Sequence, residues 1–137
     1  MNEAETMLEM LGGREGAPRT LAVVGLSDDP AKPSHYVSAY MQTQGYKVFP
    51  VNPAVVEVLG ETSYGSLSEL PEKPDVVNVF RLPKAIPAIV DEMLALGLKN
   101  LWVQAGIVNL EAAERAEAGG IRVVMDRCIM VEHRQRV

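Results

Sequence analysis

The sequence predicts an α/β chain: a doubly wound parallel sheet of five strands between two helical layers, three layers in all. Three observations predict it. Five short runs, at 21–24, 46–51, 75–80, 100–104 and 121–125, are nearly continuous in apolar residues, as strands buried on both faces must be. Stretches with apolar residues at helical spacing stand between most of these runs. Glycine follows the first run at Gly25 and closes helical stretches at Gly45, Gly97 and Gly119-Gly120.

Taken in order, residues 3–11 carry Met7, Leu8 and Leu11, which predicts a short helix on the sheet edge, ended by Gly12-Gly13. Residues 14–19 link it to the first strand at 21–24. Gly25 ends that strand, and 26–32 form a polar loop. Pro33 suits a first helical turn, where its missing N–H costs nothing. Tyr36, Val37, Tyr40 and Met41 then recur at helical spacing up to Gly45. The strand at 46–51 closes on Asn52-Pro53, so the first unit is a right-handed βαβ crossover. Residues 54–65 are the least regular part; Val55, Val56, Val58 and Leu59 predict a helical turn or a loop lid. Residues 66–70 read as one helical turn, with Ser66 and Glu69 at capping-box spacing and Pro71 and Pro74 beyond it. The third strand, 75–80, is followed by a loop at 81–84. Ile86, Ile89, Val90, Met93 and Leu94 form one stripe, so 84–96 is a helix. The fourth strand, 100–104, turns through 105–107 into a helix over 109–118. The fifth strand, 121–125, leaves through Asp126-Arg127-Cys128 into a tail that predicts one last helical turn. Trp102, in mid-strand, is a core residue.

The length of 137 residues predicts one domain over 1–137, at roughly 100–200 residues per domain. Apolar residues make up 47%, enough for a packed interior. The net charge of -5 opposes bulk attraction to nucleic acid or an anionic membrane. An anionic ligand must therefore be held by local N–H groups and a few basic side chains. Cys128 is the only cysteine, which excludes an internal disulfide and favours a reducing compartment. The acidic start, MNEAETMLEM, is unlike a signal peptide, and no apolar run approaches the roughly 20 residues of a membrane span. The expectation is a soluble, cytoplasmic protein. His35 and His133 are the only histidines and have no companions at metal-ligand spacing; no G-x-S-x-G elbow is present.

In this architecture ligands sit beyond the C-terminal ends of the strands, where the strand order reverses. That rule gathers residues 25–29, 52–53, 80–84 and 104–107 on one rim, with Cys128 just past the fifth strand. The first loop meets a helix N-terminus, where free N–H groups and the helix dipole favour an anion, so it is expected to hold a phosphate. Gly25, Ser27, Lys32, Asn52, Arg81, Gln104 and Gly106 are the candidates read from position and chemistry. An NAD site needs G-x-G-x-x-G and an acid after the second strand. Here Ser27 and Pro30 stand at the later glycine positions and Asn52 at the acid, so both features disfavour NAD.

Val24-Gly25-Leu26-Ser27, Lys32-Pro33, Val51-Asn52-Pro53 and the run from Asp126 to His133 resemble the stand-alone bacterial CoA-binding domain proteins. The resemblance covers about residues 21–133, and its most specific part is Asp126-Arg127-Cys128-x-Met130 with Glu132-His133. The same domain resembles the N-terminal CoA-binding domain of the succinyl-CoA synthetase alpha subunit. The resemblance implies a Rossmann-like fold that binds coenzyme A. It also implies a phosphate-contacting first loop of Gly25, Leu26, Ser27 and Asp28, and a turn of Asn52 and Pro53 beside the nucleotide. A loop of Phe80 and Arg81 with Leu82-Pro83 would border the adenine. Gln104, Ala105 and Gly106 would line the pantetheine path. Ala54 and Val55 stand where the synthetase has a basic residue, which leaves Arg81, Lys84 or Lys32 to meet the 3′-phosphate.

The synthetase carries its phosphohistidine in a later domain, which this chain does not contain. The functional expectation is therefore binding of coenzyme A or an acyl-CoA without catalysis. Two alternatives stand beside it: an NAD(P)-binding oxidoreductase, and a subunit delivering CoA to a partner ligase. A homo-oligomer is also compatible with the sequence. If Cys128 reaches the rim, oxidation would join it to the coenzyme thiol as a mixed disulfide.

Overall fold

The apolar runs pair as a parallel sheet in the computed structural model, which describes residues 1–13, 15 and 17–137. In chain order the elements are α1 (Ala4–Met10), β1 (Thr20–Val24), α2 (Pro33–Thr43), β2 (Lys47–Val51), β3 (Glu57–Val58), β4 (Glu61–Thr62), β5 (Val76–Val79), α3 (Ile86–Leu96), β6 (Asn100–Val103), α4 (Leu110–Ala118), β7 (Arg122–Met125) and α5 (Ile129–Arg136). The main sheet has five strands in the order β2-β1-β5-β6-β7, all parallel. The order reverses between β1 and β5, which makes the crevice beyond their C-terminal ends the place for a ligand. This is a Rossmann-like α/β fold.

Alternation along each strand divides the core into two. Ala22 and Val24 join Val77, Val79, Leu101, Val103, Val123 and Met125 against α3 and α4. Leu21 and Val23 join Val48, Val76, Trp102 and Val124 against α1, α2 and α5. Both faces are covered, which is why the strands lack the polar residues of a half-exposed sheet. One strand breaks that pattern: Asn78, in the centre of β5, is 1% exposed. Its Nδ2 donates to the Trp102 carbonyl and to Gln104 Oε1, both at 3.2 Å.

Three expectations are corrected. The segment predicted as a helical turn or lid is a β-hairpin, β3 pairing antiparallel with β4. Its two turn residues, Leu59 and Gly60, both have positive φ, at 55° and 76°. That is the conformation of a tight hairpin turn, for which Asn-Gly is the usual signal and Leu-Gly is not. Beyond the hairpin, Tyr64 bridges Val51 and so shields the edge of β2, where Pro50 cannot donate. The tail predicted as one turn is a full helix, α5. At 66–70 the capping box is incomplete: Ser66 Oγ bonds Glu69 Oε2 at 3.1 Å, and no side chain caps the backbone of this short 3-10 turn. The link predicted at 14–19 includes residues 14 and 16, which lie outside the described residues. No helix among the described residues is long and apolar enough to cross a membrane.

α5 is seated on the sheet by polar bonds at its start. Trp102 Nε1 donates to the Arg127 carbonyl at 2.9 Å, and Ile129 N–H donates to Gln104 Oε1 at 3.0 Å. Further along, His133 packs edge-on against Tyr40 and Tyr46, with its Nδ1 2.8 Å from the Tyr40 hydroxyl. Burial pushes the His133 pKa below its usual 6.5. The unfolded chain then binds the proton more tightly than the folded one. His133 therefore stabilises fully above about pH 6.5, and that contribution is lost as pH falls through the lowered folded value. Urea unfolding of the native protein and of His133→Phe, at about pH 7.5 and about pH 5, is expected to show a smaller loss for the variant.

Candidate functional site

The C-terminal ends of β1, β5 and β6 open into a cleft of about 630 Å³ on the face that carries α2 and α5. Gly25, Phe80, Gln104 and Ala105 line it from the sheet ends. Ser27, Lys32, Pro33, Ser34, Tyr36 and Val37 line it from the first loop and α2. Cys128, Met130 and Val131 form the wall supplied by α5, with Ile107 beside them. Its volume lies within the usual range of small-molecule sites, about 300–1,000 Å³.

Gly25 makes the close approach possible. Its φ is +88°, and a Cβ there would stand 2.9 Å from the Phe80 carbonyl oxygen. Two strand ends thus meet without a side chain between them. The loop that follows folds on its own polar groups. Ser27 N–H donates to Ser34 Oγ at 2.9 Å, and Asp29 N–H donates to Ser27 Oγ at 3.0 Å. Both hydroxyls therefore act as acceptors inside the loop, and each retains one O–H donor. The N–H groups of Leu26 and Asp28 take no protein partner among the described residues. α2 begins here with no acidic residue in its first turn and with Lys32 as its N-cap. Its positive end is left unneutralised by side chains.

The structure brings Gly25, Ser27, Lys32, Phe80, Gln104 and Ala105 together around one space. The other candidates stand apart from it. The Leu26 side chain is 0% exposed and belongs to the core, so only its backbone faces the loop. Asn52 braces the loop: its Nδ2 donates to the Leu26 carbonyl and its Oδ1 accepts from Ala54 N–H, both at 3.0 Å. Asp28, Pro53 and Arg81 are exposed and outside the lining. Gly106 holds a positive φ, and its N–H donates to Asp126 Oδ1 at 2.7 Å. Lys32, Arg81 and Lys84 make no ion pair among the described residues.

Sequence reasoning missed Ser34, Tyr36 and the α5 wall of Met130 and Val131. Lys32-Pro33 was a usable signal for the first of these, because the residue after an N1 proline sits in the first turn facing the loop. Tyr36 was read only as part of the helical spacing of α2; it is 48% exposed and lines the cleft. Among the described residues no group of His, Cys, Asp and Glu is arranged to hold a metal ion.

A family model described as the CoA binding domain matches residues 19–134. The chain belongs to the CoA-binding domain family. Within that family it is similar to the Bacillus subtilis protein YneT, 44% identical over 115 residues that cover 84% of this chain and 85% of that one. It is also similar to the alpha subunit of ADP-forming acetate–CoA ligase II from Pyrococcus furiosus, 30% identical over 123 residues. That match covers 82% of this chain and 27% of the subunit, so the chain spans about a quarter of that relative. Among solved structures it superposes on Prb, a protein redesigned for binding, with a TM-score of 0.91 at 33% identity, covering 99% of this chain and 93% of that one.

The geometry of this CoA-binding domain makes Gly25 irreplaceable at the crevice. Gly25→Ala is expected to lower stability by about 2 kcal/mol or more, from the left-handed backbone and the clash with the Phe80 carbonyl. Chemical denaturation followed by the fluorescence of Trp102 checks this; unchanged stability would show that the two strand ends can separate freely.

Proposed function

We propose that the cleft binds coenzyme A, free or acylated, and that the protein carries the coenzyme without chemistry of its own. The observation that carries this reading is the coincidence of three things on one rim. They are a glycine crevice at the sheet's switch point, an α2 N-terminus with no acid to neutralise it, and spare donors from the loop. A diphosphate suits that arrangement, because backbone N–H groups and the helix dipole hold anions without a net positive protein. Ser27, Ser34 and the loop N–H groups of Leu26 and Asp28 would hold it. Lys32, Arg81 or Lys84 would meet the 3′-phosphate, since all three are unpaired cations. Family membership supports the same ligand. The Pyrococcus furiosus relative is named for a reaction of acetate with CoA, so a partner that consumes the bound coenzyme belongs to the proposal.

Titration calorimetry with coenzyme A, dephospho-CoA, NAD and ATP tests the reading. Coenzyme A is expected to bind at one site, and dephospho-CoA about tenfold more weakly, the loss expected of one charge-assisted contact. Among Lys32→Ala, Arg81→Ala and Lys84→Ala, the variant that binds the two coenzymes equally identifies the residue that meets the 3′-phosphate. Tight NAD binding with no CoA binding would overturn the proposal.

A further inference from the structure

The cleft is not uniform in its chemistry. Among the described residues that line it, Lys32 is the only charged one, and the hydroxyls nearest to it in the chain are those of Ser27 and Ser34. All three belong to the segment that leaves β1 and opens α2. The α5 wall is different. Cys128, Met130 and Val131 line the cleft there, with Ile107 beside them. α2 packs directly against α5 and adds Tyr36 and Val37 to the lining. None of these six side chains is charged. Only the Tyr36 hydroxyl is a strong hydrogen-bonding group; a thiol and a thioether are weak ones. Val131 is 39% exposed and Tyr36 48%, so methyl and ring surface stand uncovered at the mouth of the cleft. An apolar strip rimmed by polar groups marks a ligand groove.

Coenzyme A divides in the same way. Its phosphates lie in the nucleotide half, and the other arm is uncharged and ends in the thiol. With the phosphates on the donors of the first loop, the uncharged arm is the part left to run toward α5. That arm alone suits the strip badly. Its amides need partners, and Met130, Val131 and Ile107 offer none, so seating them there forfeits their hydrogen bonds to water. A hydrocarbon group forfeits nothing of the kind, and it removes apolar surface from water on both sides.

We propose that the strip of Tyr36, Val37, Met130 and Val131 is an acyl subsite, and that the ligand is a coenzyme A thioester of a hydrophobic acid longer than acetate. The proposal rests on the coenzyme A reading and deepens it by naming the acyl group. Met130 fits the role, because an unbranched side chain with three rotatable bonds adapts to chains of different length. The strip is in place before a ligand arrives: the residue ahead of Met130 is fixed by the Ile129 N–H bond to Gln104 Oε1 at 3.0 Å.

Titration calorimetry with coenzyme A and its acetyl, butyryl, hexanoyl and octanoyl thioesters measures the subsite. Affinity is expected to rise about three- to fourfold for each methylene buried, and to level off once the strip is covered. Octanoate alone, which has no phosphates, is expected to bind at least about a hundredfold more weakly than octanoyl-CoA. Val131→Asn replaces two methyls with an amide of similar size. It is expected to cut the ratio of octanoyl-CoA affinity to coenzyme A affinity by about tenfold. Because that ratio is taken within one protein, a general weakening of the fold leaves it unchanged. In the native protein, the octanoyl methylenes are expected to give nuclear Overhauser contacts to the methyls of Met130 and Val131.

A flat or falling chain-length series would overturn the acyl subsite and leave the coenzyme reading in place. The same holds for an unaltered ratio in Val131→Asn, for octanoate binding as tightly as octanoyl-CoA, and for a bound octanoyl chain without contacts to Met130 or Val131. Failure of the native protein to bind any of these ligands, coenzyme A included, would remove the coenzyme reading itself.

Discussion

The last helix is joined to the middle of the sheet by one buried amide chain, and the cleft exists because of it. Asn78 donates from the centre of β5 to Gln104 at the end of β6, and Gln104 accepts from Ile129 at the start of α5. Trp102, one face of β6 away from solvent, adds its bond to the Arg127 carbonyl. Each bond contributes only about 1 kcal/mol net, but breaking one leaves a buried group unpaired at about 1–3 kcal/mol. The network therefore acts less as a store of stability than as a selector of position. Apolar packing of Ile129 alone would let α5 slide along its groove. A chain of directional bonds does not. Met130 and Val131 face the cleft because the residue before them is held by Gln104.

The opposite wall has a different cause. α2 approaches the sheet through Gly25, where two strand ends come within the reach of a single Cβ. Ser27 and Ser34 then bond each other's segment, and Asn52 ties the loop to the turn after β2. The first crossover thus closes on itself before any ligand arrives. Such pre-organisation lowers the cost of ordering a loop around a ligand. It also explains why Asn52 stands where a dinucleotide site has an acid: here the position supports the loop from behind.

The sheet, the order of its elements and the first crossover were legible in the sequence because they rest on period and punctuation. The run 21–24 reads as a strand buried on both faces and 121–125 as a strand, and Pro33 and Gly45 bracket α2. What escaped depends on contacts between distant residues. The hairpin at β3 and β4 escaped because Leu59 takes a conformation its side chain disfavours; Gln42 Nε2, bonding the Leu59 carbonyl at 3.1 Å, compensates locally. α5 escaped because its polar face hides the few residues that anchor it, Ile129 and His133 among them. Leu26 looked like a loop residue and proved to be core. Asn78 was visible as a polar letter within Val-Val-Asn-Val, but its purpose needed Gln104, which only the sheet register brings beside it.

A chain with a net charge of -5 can still hold an anion because charge is felt locally. Many of the described carboxylates are engaged away from the cleft: Glu72 with Lys47, Asp91 with Arg115, Glu9 with Arg122 and Glu132 with Arg136. Asp29, which does stand in the first loop, accepts from Ala31 N–H at 2.9 Å and so spends part of its charge on the backbone. Lys32, Arg81 and Lys84, which make no ion pair among the described residues, belong to the segments that leave β1 and β5. α2 completes the contrast. α4 has an acid in its first turn and an Asn109 side chain that accepts from Ala112 N–H, whereas α2 has neither an acid nor a side-chain cap. In the first turn of α2, Pro33 has no N–H and the N–H groups of His35 and Tyr36 bond the Lys32 carbonyl, which leaves Ser34 N–H for water or an anion. The cleft admits both, and a ligand that brings its own phosphates displaces water with a better-matched acceptor.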